Sequence, residues 1–258
     1  MKQAAILLFI ICSLSLFAEN KLAVIRDSME YVSVYKGKGT NYEIVTTIDK
    51  DDFFYCDLIF DEEWIKIMAM EWKNGKQMEG FVHKNDILLV ENLEIEKQKE
   101  LIFQVLTKQK QLADDFYEYC NSSTILDTSL SIIELEERIK IVRKGKENHS
   151  ETKYDPILDF LPTYFCSTQD TTIIQLLFIT MLADHGSASE MPSFAIGKCY
   201  VCYPDLIMNQ LNYLKNKEDK DFILNKIEWG LETNFYHNSN IEYDMLQSKL
   251  HNERKNNE

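Results

Sequence analysis

A chain of 258 residues, 45% of them hydrophobic, is long enough to bury one or two cores, which excludes a disordered tail. Its 28 Lys and Arg stand against 42 Asp and Glu, for a net charge of -14. That surface repels phosphate, so it disfavours nucleic acid and anionic lipid headgroups as partners and leaves basic or neutral ones open.

The first 18 residues read as an export signal. Lys2 gives a positive start, Ala4 to Phe17 is an apolar run, and Ala18 precedes Glu19 at a plausible cleavage point. The run falls short of the ~20 residues a spanning helix needs, so the expected mature chain is exported, periplasmic or extracellular, with no integral membrane span. An uncleaved anchor is the competing reading. A lipoprotein fits less well, because no small residue stands just before Cys12. Loss of the leader takes the charge to -15 and leaves Cys56, Cys120, Cys166, Cys199 and Cys202. An odd set cannot all pair within one molecule.

From Leu22 to Val90 short apolar runs rich in β-branched and aromatic residues alternate with turn formers. The runs include Ala23-Val24-Ile25, Tyr31 with Val32 and Val34, Ile44-Val45, Phe53-Phe54-Tyr55, Trp64-Ile65-Lys66-Ile67 and Phe81-Val82. This predicts strands, with Asn74-Gly75 as the best hairpin turn and a small closed or nearly closed barrel as the architecture.

The order Tyr31-Val32-Ser33-Val34-Tyr35, Gly37-Lys38-Gly39-Thr40-Asn41-Tyr42, Ile44 to Ile48, Lys50-Asp51-Asp52, Trp64 to Ile67 and Gly80-Phe81-Val82 is similar to the bacterial SH3-like (SH3b) family. The resemblance covers residues 22–90, roughly a quarter of the chain. It implies a β-barrel that binds peptide or cell-wall components. Glycines at 37 and 39 allow a sharp turn, after which Asn41-Tyr42 is expected to re-enter a strand with the ring against the barrel. Ser33-Val34-Tyr35 replaces the family's usual Asn-Val-Arg, and the segment from Met68 to Met78 is long.

Beyond Val90 the period changes. Leu101, Val105, Leu112, Phe116 and Tyr119 predict an amphipathic helix, and Ser131 with Glu134 forms a capping box for a second. Polar residues from Gly145 to Lys153 read as an exposed loop, at about 145–154. Asp155-Pro156 opens a helix that Pro162 should end or kink. Thr171 to His185 is the most apolar helix, with Gly186 as its stop. Ser187 with Glu190 starts another, Tyr203-Pro204 marks a boundary, and Asp219 is expected to cap the last. Residues 247–258 are polar and read as a flexible tail.

Little in the chain points to a reaction. Cys199 and Cys202 make the one chemical spacing. They read as a buried pair or a local disulfide rather than a redox or zinc site, since they lie amid helices and no second CxxC follows. Asp184 and His185 are adjacent and point in different directions. Ser187 to Ser189 lack a nucleophile-elbow setting. A wall peptidase would need Cys120 or Cys166 with a downstream histidine in a sheet, and that half of the chain reads as helical. No cofactor or metal is expected. The candidate ligand-binding residues are the aromatics Tyr31, Tyr35, Tyr42, Trp64 and Phe81, which could wall a groove. For Trp64 and Phe81 the barrel core is the favoured place, while Tyr35 is expected to be exposed.

The sequence thus predicts an α+β multidomain chain: a signal at 1–18, an SH3-like β-barrel at 22–90, an all-α helical domain at 95–246 and a tail. The expected function is that of an exported, non-enzymatic docking protein for an envelope protein, peptide or peptidoglycan. The alternative is an enzyme, either a thiol-disulfide redox protein through Cys199 and Cys202 or a cell-wall hydrolase.

Overall fold

The computed structural model describes residues 20–50, 52–57, 62–71, 76–122, 132–184, 189–235 and 241–256. The leader, Asn74-Gly75, Ser131, His185, Gly186 and Ser187 lie outside them. The chain divides into two compact units, Met1–Leu93 and Glu94–Glu258.

The first unit is an antiparallel sheet of seven strands: β1 (Asn20–Ile25), β2 (Tyr31–Tyr35), β3 (Ile44–Asp49), β4 (Phe54–Asp57), β5 (Trp64–Glu71), β6 (Lys76–His83) and β7 (Ile87–Leu89). Their order is β3-β2-β6-β5-β4-β1-β7. No ladder joins the two ends of that order among the described residues. Alternation decides which side chains go inward. Val32 and Val34 are buried on β2, Ile67 on β5 and Val82 on β6, within one cluster that also takes Ala23, Ile25, Ile48, Phe54, Cys56 and Ile87. All seven strands contribute to it. The contact between β2 and β6 is narrow, with Tyr35 opposite Phe81 as its paired position. Glycine is required beside it, because a Cβ on Gly80 would lie 2.9 Å from the Tyr35 carbonyl oxygen and overlap Val34.

The second unit is mainly helical, so the chain has the expected two-part α+β architecture. Its helices are α1 (Ile95–Ser122), α2 (Ile132–His149), α3 (Asp155–Thr168), α4 (Thr171–Ala183), α5 (Met191–Cys202), α6 (Pro204–Leu211), α7 (Lys217–Phe235) and α8 (Ile241–Asn256). Burial of Ile102, Val105, Leu106 and Ala113 gives α1 one apolar face. Asp170 caps α4, accepting a hydrogen bond from the Thr172 amide at 3.0 Å.

Four expectations for this unit are corrected. The loop at 145–154 is helical: α2 runs to His149, and a π-helical turn, Ser150–Tyr154, leads directly into α3. Lys146, His149 and Ser150 turn their polar groups to tertiary contacts, while Glu147, Asn148 and Glu151 stay exposed. Pro162 does not end α3, which continues to Thr168. The residue is buried within the helical unit, so the helix accommodates a position that cannot donate a backbone bond. The cap of α7 is Asn216, which accepts from the Glu218 amide at 3.0 Å, three residues ahead of Asp219, which lies inside the first turn. The tail is helical through Asn256, because Leu246 and Leu250 are buried one turn apart and Arg254 bonds Asn225 at 2.7 Å and Glu228 at 2.6 Å.

Candidate functional site

Strand register builds an aromatic strip on the outward face of the sheet. Trp64 lies opposite His83, and Lys66 opposite Phe81, across β5 and β6. Tyr35 of β2 lies opposite Phe81 on its other side. These residues alternate with the buried Val34, Ile67 and Val82, so they share the face turned away from the core. The Tyr35 and Trp64 rings meet edge to face at 5.5 Å, as do Trp64 and His83 at 5.4 Å. From the loop after β2, Lys38 places its ammonium over the Phe81 ring at 5.9 Å.

Charged pairs frame the strip. Lys66 bonds Glu79 at 2.8 Å, and this hydrogen bond raises the lysine pKa. Lys38 also pairs with Glu62. His83 is held at both nitrogens: Nδ1 accepts from the Asn85 amide at 3.2 Å, so Nε2 carries the proton and donates to Glu63 at 3.1 Å. The result is a row of half-buried rings held by these contacts.

The five candidate aromatics therefore divide. Tyr35, Trp64 and Phe81 come together, and all three are half-buried. Trp64 and Phe81 are thus not barrel core, since their strand positions put them in the outward phase. Tyr31 shares that face at the far end of β2, pairs across from Asp49 and is 59% exposed. Tyr42 does not re-enter a strand. Its ring lies on Gly37, where a Cβ would sit 2.6 Å from Cδ1, and β3 begins only at Ile44. The loop is closed by Gly39 at φ +150°, a conformation that side chains resist. Sequence reasoning missed His83 and Lys38. The signal for His83 was its period-two spacing from Phe81.

The cysteine pairing is a second correction. Cys202 is bonded to Cys166, not to Cys199, with Cα atoms 5.8 Å apart, so the bridge ties α5 to α3. Cys199 is a fully buried thiol, and burial raises its pKa. Cys56 is also buried, its pKa pushed up to about 12 by burial and then by Asp57 and Glu91. Neither offers a ready thiolate.

A buried polar network in the helical unit was also missed. Gln109 of α1 is fully buried and donates to Asp184 at 2.7 Å and to Ser150 at 2.8 Å. Its carbonyl oxygen accepts from His149 Nδ1 at 2.9 Å. Lys146 pairs with the other Asp184 oxygen. Burial, then Lys153 and Lys108, lower the His149 pKa to about 4, so the ring is neutral near pH 7. The network stitches the π-helical turn to α1 and the end of α4. The only hint in the sequence was glutamine at 109, in phase with the apolar residues of α1. Among the described residues no three His, Cys, Asp or Glu side chains converge as metal ligands.

No protein-family model, curated protein or solved structure matches the chain.

Proposed function

We propose that this chain is an exported, non-enzymatic binding protein whose first unit is an SH3-like (SH3b) barrel. The barrel would present the Tyr35-Trp64-Phe81 strip to a peptide or cell-wall component of the envelope. The strip is the observation that carries this reading. Rings half-buried on an outward face and pinned by edge-to-face contacts and charged pairs lose little freedom on binding, which suits them as an aromatic platform. Closure into a barrel is supported by the single cluster drawn from all seven strands, since a sheet must curl for residues of β3 and β7 to share one core. Export rests on the leader pattern at residues 1–18. The helical unit would supply a second interaction surface.

The test uses the chain secreted from its natural leader, its N-terminus read by sequencing. Co-sedimentation with insoluble peptidoglycan, and capture by immobilised envelope peptides, should retain it. Trp64→Ala and Tyr35→Ala should lower retention at least tenfold, while Tyr31→Ala should not. Absence of retention on both supports, or equal retention of all variants, would overturn the reading.

A further inference from the structure

The helical unit carries an open cavity of about 430 Å³, walled by Pro162, Thr163, Cys166, Val201, Cys202 and Asn234, with Lys198 at its edge. The Cys166–Cys202 bridge forms part of that wall, and Cys202 is the more exposed of its two residues. We propose that this cavity is a thiol-disulfide exchange site for a low-molecular-weight thiol that carries a carboxylate.

Three observations specify the ligand. The volume lies within the roughly 300–1,000 Å³ of small-molecule sites, and the apolar walls from Pro162 and Val201 suit a short carbon skeleton. Lys198 supplies the cation: its nearest carboxylate, on Asp159, stands at 3.7 Å, and both side chains are about half exposed. Such a pair is held loosely and can yield to an incoming carboxylate. Asn234 spends its amide nitrogen on the Gly230 carbonyl at 2.6 Å and the Phe194 carbonyl at 3.4 Å. Those bonds leave its carbonyl oxygen to accept an N–H from the ligand.

In the step itself, the ligand's thiolate attacks Cys202 Sγ, on the more exposed residue of the bridge. The Cys166–Cys202 bond breaks as the ligand–Cys202 bond forms, and Cys166 leaves as a thiolate that takes a proton from solvent. One disulfide is exchanged for another, so no outside oxidant or reductant is consumed. Cys199 sits one turn from Cys202 but is buried with a raised pKa, so it does not compete as the internal nucleophile.

The experiment treats the oxidised full-length chain with N-acetylcysteine or with cysteamine, which has no carboxylate. Timed samples are trapped with iodoacetamide and mapped by mass spectrometry, and rates are expressed per thiolate. N-acetylcysteine should add to Cys202, with the trap on Cys166, at least fivefold faster than cysteamine. In Lys198→Gln, an exposed substitution, that preference should vanish. Equal rates for the two thiols, adducts confined to other cysteines, a preference that survives in Lys198→Gln, or no adduct with either thiol would each overturn the proposal. The outcome is independent of retention by the aromatic strip.

Discussion

Two glycines in the helical unit should respond to the same substitution with opposite signs. Helices α5 and α7 cross where Gly197 meets Gly230. A Cβ on Gly230 would overlap the Ser193 carbonyl oxygen, lie 2.8 Å from its carbon and 3.1 Å from the Gly197 Cα. All three are backbone atoms, so no rotamer change relieves the overlap and the two helices must separate. Overpacking costs about 1–3 kcal/mol, and contact with rigid backbone places Gly230→Ala at the upper end. Replacing a helical glycine with alanine returns about 1 kcal/mol of propensity, which leaves a net loss of about 2 kcal/mol. Gly145 is also inside a helix, α2, but a Cβ there meets nothing within 4 Å. Gly145→Ala should therefore be stabilising by about 0.5–1 kcal/mol. Urea unfolding followed by helical circular dichroism measures both, with unchanged m-values as the check that only stability moved. A neutral or stabilising Gly230→Ala would refute the close crossing.

Gln109→Leu should destabilise the helical unit by about 1–3 kcal/mol for each buried group it orphans, with Asp184 first, measured by the same unfolding assay. Burial raises the Asp155 pKa from 3.8 to about 6, so the folded state holds its proton more tightly than the unfolded chain between those values. Stability from this group therefore rises as pH falls through that window, and Asp155→Asn should remove the gain. His149, lowered to about 4, acts oppositely between pH 6.5 and 4, so the Asn variant should show the steeper acid loss in melting temperature. Parallel profiles for variant and wild type would refute the Asp155 assignment. Iodoacetamide on the native chain should leave Cys56 and Cys199 unmodified, with labelling of both only in denaturant.

The strands were legible because each carries its own pattern. Val32 and Val34 alternate with Tyr31, Ser33 and Tyr35, and the same rule applied one strand over places Trp64 and Phe81 outward. The error over those two came from weighing ring size above phase: a large apolar side chain suggests a core, but a period of two decides the face. Tyr42 failed for another reason. A glycine beside an aromatic leaves room for the ring to fold back on the loop, and that choice depends on three-dimensional space at Gly37 that no spacing encodes.

In the helical unit, what failed was pairing across distance. Polar runs at 145–153 look like a loop because sequence alone cannot show that Gln109 and Asp184, far away in the chain, bring buried partners to them. The same holds for the cysteines. Cys199 and Cys202 lie on one helix, three residues and about 60° apart around the axis, and the core boundary runs between them. Cys199 faces the interior and Cys202 reaches α3, where Cys166 waits 36 residues earlier in the chain. Proximity in sequence suggested a local bridge, yet the helix that brings the two close also turns them toward different environments. That division leaves one thiol inert and the other in a bridge at the wall of a cavity, which is the arrangement an external thiol can reach.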